Sequence, residues 1–313
     1  MVKAQISVFE MSLRDGLQNE PTIPSVQTKI RFAQKLIEAG VLDFELGAFV
    51  RPDRVPQMAD TEKLFQAVQK KKLHLKKGRA WALVPNRKGL ERALSVGVKH
   101  IAIFTAATES FAQKNIGMSI RDSLTEYRSV IRDARAKGVL VRGYVSTAFG
   151  CPFEGKVKPS QVLKVIDALG QLEVSQISIG DTIGVATPNQ VAPIISPALQ
   201  NWGVDRIAVH FHDTRGTALA NTLRSIQLGV SVVDSSAGGL GGCPFAPGAA
   251  GNLATEDLVY MLDGMGMKTG IHLEKLALAS LEFAKKMNRP LSSRYLQAYA
   301  MALRPRARPR PRG

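Results

Sequence analysis

The 313-residue chain has only two cysteines, Cys151 and Cys243, and five histidines. Two thiols cannot staple a chain of this length, which excludes a disulfide framework and fits a reducing compartment. No uninterrupted apolar run approaches the roughly 20 residues that a membrane-crossing helix needs. The opening "MVKAQISVFEMSLRDG" has neither the apolar core of a signal peptide nor the acid-poor pattern of a transit helix. A cytoplasmic location without membrane association is therefore expected. Acidic residues are scarce too, 26 against 42 lysines and arginines, giving a formal net charge of +16. The first apolar segment also lacks the GxGxxG turn that many dinucleotide-binding open sheets carry.

The positive charge is unevenly spread. The last stretch, "LRPRARPRPRG", holds five arginines. Alternating Arg and Pro can neither form a helix nor bury a core, so residues 303–313 are expected to be a disordered tail. Such a tail is either simply solvated or an arm for anions such as nucleic acid. A second basic run, "QKKKLHLKKGR", reads as the end of a helix and its exit loop. Elsewhere, 45% apolar and 22% charged residues are ordinary for a folded chain, which excludes disorder for the bulk.

Eight short β-rich segments recur along the chain: "QISVFEMS" from Gln5, "LDFELGAF" from Leu42, "RAWALVP" from Arg79 and "HIAIFTA" from His100, then "LVRGYVST" from Leu140, "QISIGDT" from Gln176, "RIAVHFHD" from Arg206 and "VSVVDSS" from Val230. Amphipathic helical stretches lie between them. "SVQTKIRFAQKLIEAG" places Val26, Ile30, Ala33, Leu36 and Ile37 at helical spacing and stops at Gly40; "SIRDSLTEYRSVIRDARAKG" stops at Gly138. Strict alternation implies parallel strands with crossover helices, and eight units predict an α/β fold closed as a (β/α)8 TIM barrel. The expected division is a barrel over residues 1–270, additional C-terminal helices packed on it over 271–302, and the tail beyond.

In such a barrel the chemistry collects at the C-terminal ends of the strands. Arg14 and Asp15 follow strand one, Glu45 lies near the end of strand two, and Asp181 and Thr182 end strand six. His210 and His212 end strand seven, and the loop "SSAGGLGGCPFAPGAAGN" follows strand eight. Two apart on a strand, the two histidines leave the same face. They are either a satisfied core pair or two ligands of one cation. With Asp15 as a carboxylate and Asn252 as an amide oxygen, the donor set favours Mg2+ or Mn2+ over structural zinc, although imidazole also suits zinc, cobalt or nickel. Arg14 is either half of a surface charge pair or a stabiliser of charge developing on a carbonyl oxygen.

The motifs "RDGLQNE", "FVRPDRVPQMAD", "VRGYVSTAFGCPFEG", "GDTIGVATP", "HFHDTRGTALANT" and "VSVVDSSAGGLGGCPFAPGAAGNLATEDLVYML" resemble those of the 3-hydroxy-3-methylglutaryl-CoA lyase family, within a metal-dependent barrel superfamily that also holds condensing synthases. The likeness runs from Phe9 to about Ser293, and the glycine-rich cysteine loop separates lyases from synthases. It implies that Asp15, His210, His212 and Asn252 bind the cation, Arg14 contacts the substrate carbonyl, and Cys243 acts in acid/base catalysis. Glu45, Asp181, Gln18, Ser178 and Thr182 would support them, with Asn288 near the CoA. It further implies an acyl-CoA substrate and a homodimer, with nucleic acid not a partner. There are departures: Ser12-Leu13 precede Arg-Asp where the family often has Gly-Pro, and Phe211, Arg215 and Thr217 depart from its "HCHDTYGQ". Pro290 replaces a lysine, and a redox-sensitive cysteine that some members carry near the C-terminus is absent.

The implied chemistry is a retro-Claisen cleavage. A base, His210 or Asp15, removes the tertiary hydroxyl proton, Arg14 stabilises the enolate, and Cys243 protonates its carbon. Cys243 could instead be a small buried hydrophobe, the usual state of a free cysteine and the reading that suits Cys151. Glycines on both sides of Cys243 suit a loop that closes over a reactive intermediate. The alternatives are a lyase for a longer branched 3-hydroxyglutaryl-CoA, a condensing synthase or aldolase on the same scaffold, and an anion- or nucleic-acid-binding protein acting through its tail.

Overall fold

A computed structural model describes residues 5–242, 251–289 and 291–303. Cys243 and the tail from residue 304 lie outside the described residues. The eight expected strands are all present: β1 Ser7–Glu10, β2 Asp43–Ala48, β3 Arg79–Leu83, β4 His100–Ala106, β5 Leu140–Ser146, β6 Gln176–Asp181, β7 Ile207–Phe211 and β8 Val232–Ser235. Each pairs with its sequence neighbour, and β8 closes on β1, giving one parallel barrel. The expected TIM barrel is the observed fold.

Its helices form where the periodicity placed them. Helix α1, Val26–Glu38, starts at the Ser25 hydroxyl, which accepts from the Thr28 amide. Helices α2 (Thr61–Gln69), α3 (Arg87–Ser95), α4 (Glu109–Ile116) and α5 (Ile120–Arg135) follow. Then come α6 (Pro159–Gln171), α7 (Pro188–Trp202), α8 (Ala218–Gln227), α9 (Thr255–Gly264), α10 (Leu273–Met287) and α11 (Arg294–Ala302). The run "QKKKLHLKKGR" is the end of α2 and its exit loop, as read. Helix α10 lies against α1, where Phe32 and Phe283 stack at 4.1 Å between ring centroids.

Strand one is shorter than its apolar segment suggested. It ends at Glu10, and Ser12–Gly16 forms a single wide helical turn. That turn carries Arg14 and Asp15 back over the barrel mouth instead of along the strand. The sequence places Asn252 at the site but gives no sign of how segment 251–254 pairs. That segment returns to the mouth and pairs with the end of β7: the Leu253 amide donates to the Phe211 carbonyl (3.0 Å) and the Asp213 amide to that of Gly251 (3.0 Å). Asn252 is thereby set opposite His212.

Candidate active site

Neighbouring strands bring the site together by register. His210 on β7 sits beside Asp234 on β8, and Ser178 on β6 beside Tyr144 on β5. His210 and His212 leave the same face, and their Nε2 atoms are 3.1 Å apart. Asp15 Oδ2 lies 3.9 Å from the first and 3.7 Å from the second. Asn252 Nδ2 donates to that same oxygen at 2.9 Å and to the Leu240 carbonyl at 3.0 Å. Asp15, His210 and His212 form the group of side chains, among the described residues, able to hold a metal ion.

A cation fits this cluster better than the protein atoms alone do. The Asn252 Oδ1 atom is buried without a hydrogen-bond partner, as is Nδ1 of His212. Burial, then the neighbouring His210 and Arg14, lower the pKa of His212 to about 4, with Asp15 opposing, so near neutrality it is an uncharged imidazole with a lone pair to give. Burial opposes the charge on Asp15, but Arg14, His210 and His212 outweigh it and keep the carboxylate ionised. Two imidazole nitrogens, a carboxylate and an amide oxygen around one point suit a divalent ion.

Glycines let Asn252 reach that point. Gly241 has φ +139°, and a Cβ there would stand 2.4 Å from Asn252 Nδ2. Gly251 has φ +43°, and its Cβ would meet the Gly239 carbonyl at 2.1 Å. Only glycine serves at either place.

Arg14 is buried and double-bound. Its Nε donates to Glu45 Oε2, and its NH1 to Asp15 Oδ1 at 2.6 Å. These carboxylates keep the guanidinium charged against burial. Glu45 therefore lies behind Arg14, as the group that aims it. Asp181 is buried likewise, but its oxygens accept from the amides of Val185 (3.0 Å) and Ala186 (2.9 Å), so it fastens the loop after β6. The Ser178 hydroxyl donates to Asp234 at 2.8 Å, and Thr182 accepts from the Thr147 amide at 2.8 Å. Arg14, Asp15, Gln18, Ser178, Thr182 and His210 all line one cavity of about 800 Å3, within the range for small-molecule sites. Asn288 does not reach that cavity; it is the exposed, left-handed cap of α10. Next to it, Arg289 pairs with the buried Glu20, six residues along from Arg14.

Four residues of the site were not singled out in the sequence. Asp234 Oδ2 is 3.2 Å from His210 Nδ1, and its Oδ1 accepts from Arg142 at 2.5 Å. Tyr144 lines the cavity, and its hydroxyl accepts from Arg142 at 2.9 Å. Glu10 is bound by the amides of Ser12 (2.9 Å) and Ala237 (2.8 Å) and by the Thr255 hydroxyl (2.7 Å). One carboxylate thus ties the Arg14–Asp15 turn to the segment that delivers Asn252. The available signal was a charged residue inside an otherwise apolar strand: Glu in "QISVFEMS", Arg in "LVRGYVST", Asp in "VSVVDSS". Gly242, the last described residue before Cys243, lines the cavity, and its carbonyl accepts from Asn19 at 2.9 Å.

Fold and site together define a TIM-barrel enzyme with a cluster able to hold a cation beside a buried arginine. An HMGL-like family model matches residues 5–281. The mitochondrial hydroxymethylglutaryl-CoA lyase of Bos taurus is 47% identical over 294 residues, covering 94% of this chain and 89% of that protein. The crystal structure of hydroxymethylglutaryl-CoA lyase from Pseudomonas aeruginosa superposes with a TM-score of 0.92 at 41% identity, over 96% of this chain and 100% of that one. An HMG-CoA lyase from Acinetobacter baumannii, solved with coenzyme A and 3-methylmalate, gives 0.89 at 34% identity, over 94% of this chain and 95% of that one. The chain belongs to the HMGL-like family, as its motifs implied.

Proposed function

We propose that the chain cleaves 3-hydroxy-3-methylglutaryl-CoA to acetyl-CoA and acetoacetate, with Asp15, His210, His212 and Asn252 holding Mg2+ or Mn2+. The observation that carries this reading is that Arg14, Asp15, His210 and His212 line a single cavity, in a chain so similar to lyases of this kind. A bound ion supplies positive charge that acidifies the substrate's tertiary hydroxyl and orients it. The proton passes to a group of the cluster, Asp15 or His210. Breakage of the adjacent carbon–carbon bond leaves a ketone and the enolate of acetyl-CoA. Arg14 holds the enolate oxygen, its charge fixed in advance by Glu45 and Asp15. Cys243 protonates the enolate carbon; Gly242, one residue before it, lies on the cavity wall.

Asp234 keeps His210 in one tautomer. A carboxylate partner takes the proton side of the imidazole, so Nδ1 donates and Nε2 presents its lone pair to the cluster. Asp181 and Glu10 act one layer further out, fixing the loops on which the reacting groups stand.

The test follows both products. Purified protein with Mg2+ should release acetyl-CoA and acetoacetate from 3-hydroxy-3-methylglutaryl-CoA, and a chelator should stop it. Consumption of acetyl-CoA would favour a condensing enzyme, and no cleavage of any 3-hydroxyglutaryl-CoA would end the lyase reading. We also expect a homodimer, to be checked by sedimentation. No helix among the described residues is long and apolar enough to cross a membrane. A cytoplasmic location is proposed from the cysteine usage, whereas the bovine relative is named as mitochondrial.

A further inference from the structure

We propose that Arg54 and Lys88 form the phosphate-binding end of the cavity and take the nucleotide phosphates of the CoA thioester. The inference rests on the lyase reading and adds the residues that grip the far end of the substrate. Four cations stand on one rim of the cavity: Arg51 and Arg54 on the loop between β2 and α2, Lys88 and Arg92 on α3. Two of them are already matched. Arg51 binds both oxygens of Asp53, at 3.1 and 2.5 Å, and Arg92 donates to Glu62 at 2.8 Å and to the Val50 carbonyl at 3.1 Å. Arg54 and Lys88 are exposed and form no ion pair with any described residue. Asp53, the carboxylate that feels the charge of Arg54, is the one Arg51 occupies.

Apolar side chains share the cavity with this rim and the reaction cluster. Phe49, Val50, Val55, Leu83 and Pro85 line the cavity, and Arg14, Asp15 and His210 lie on the same one. A ligand spanning the cavity would therefore be anionic at one end, chain-like and weakly polar along its middle, and reactive at the other. A CoA thioester has that order: phosphates, pantetheine arm, acyl group. The corner where the resemblance places a cofactor lysine has Pro290 in this sequence, and Asn288 does not reach the cavity. Positive charge for the phosphates comes instead from Arg54 and Lys88. Charges on a cavity rim also raise the capture rate of an anionic substrate, and phosphate contacts of this kind are charge-assisted.

The test is the double variant Arg54→Glu/Lys88→Glu, assayed with two substrates: 3-hydroxy-3-methylglutaryl-CoA and the matching pantetheine thioester, which lacks the nucleotide. A Lys70→Glu/Lys72→Glu variant, on exposed residues at the end of α2, controls for net charge. The expected result is a KM for the CoA substrate raised about tenfold or more with kcat nearly kept, and an unchanged KM for the pantetheine ester. The KM of the CoA substrate should also rise with salt in the wild type and much less in the variant. Binding of free CoA, measured by calorimetry without turnover, should weaken in the variant in the same proportion. If both substrates respond equally, or neither does, or free CoA binds both proteins alike, the proposal is overturned. If the wild type cleaves neither substrate, the lyase reading fails, and the calorimetry still decides whether Arg54 and Lys88 hold CoA.

Discussion

Asp234 Oδ2 lies 3.2 Å from Nδ1 of His210, with Oδ1 of the same carboxylate bound by Arg142 at 2.5 Å. Both members of that ion pair are fully buried. Burial opposes the charge on Asp234, yet Arg142 and His210 pull its pKa below the ordinary carboxylate value. A buried pair of this kind orients a ligand, and removing one partner strands the other.

Asp234→Asn therefore has two separable effects. The amide can offer N–H to His210 and reverse its tautomer, so Mn2+ affinity should fall about 10- to 100-fold. Arg142 is left unpaired, which should cost about 3–5 kcal/mol of stability. Adding Arg142→Met should recover much of the stability and none of the metal affinity. Recovery of both in the double variant would mean that Asp234 matters only to folding.

The ligand set makes a simpler prediction. Asp15→Ala and His212→Ala should each abolish Mn2+ binding, followed by electron paramagnetic resonance, and should lose activity with it. Asn252→Ala removes one neutral oxygen and should weaken binding less, so that excess Mn2+ restores part of the turnover. Treatment with a chelator should be reversible for the wild type. Full activity in metal-free Asp15→Ala would remove the cation from the reaction.

Cys243→Ala tests the acid. General acid catalysis contributes about 10²- to 10⁴-fold, so turnover should drop by that order while Mn2+ affinity holds. Near-wild-type turnover would take Cys243 out of the mechanism. Cys151→Ala should leave turnover near normal: its sulfur accepts from the Thr108 hydroxyl and the Phe153 amide, within a small cluster with Ala106, Phe111 and Ala112.

The barrel was readable because each of its strands is a short apolar run bounded by helical periodicity, and local pattern alone specifies such units. The meeting of His210 and His212 at one point was readable for a narrower reason. His210 and His212 share a face through strand period alone, and few other histidines compete for the role. Asp234 was missed because a carboxylate inside a strand has meaning only once β7 and β8 are in register. The return of 251–254 to β7 was missed because an isolated bridge leaves no periodic trace. Gln18 and Thr182 line the cavity and Asn288 does not, while Glu45 bonds Arg14 and Asp181 accepts from the Val185 amide. A motif places a residue type near a site, but the atoms its carboxylate faces are a tertiary property.

Glu256 gives the pH prediction. It is fully buried, its Oε2 accepting from the Gly238 amide at 2.8 Å and its Oε1 bonded to the Ser280 hydroxyl. Burial raises its pKa from 4.5 to about 8, with Ser280 and Gly238 opposing. The folded protein therefore keeps a proton that the unfolded chain gives up near pH 4.5. The stability this contributes is whole below that pH, declines as pH rises, and is lost through about pH 8. Gln at this position can accept from Gly238 and donate to Ser280 without titrating. Urea unfolding at pH 5, 7 and 9 should show Glu256→Gln close to the wild type at pH 5 and the more stable of the two at pH 9. Parallel pH dependence in the two proteins would show that Glu256 is ionised in the fold, and that the turn at Gly238 is held by a carboxylate.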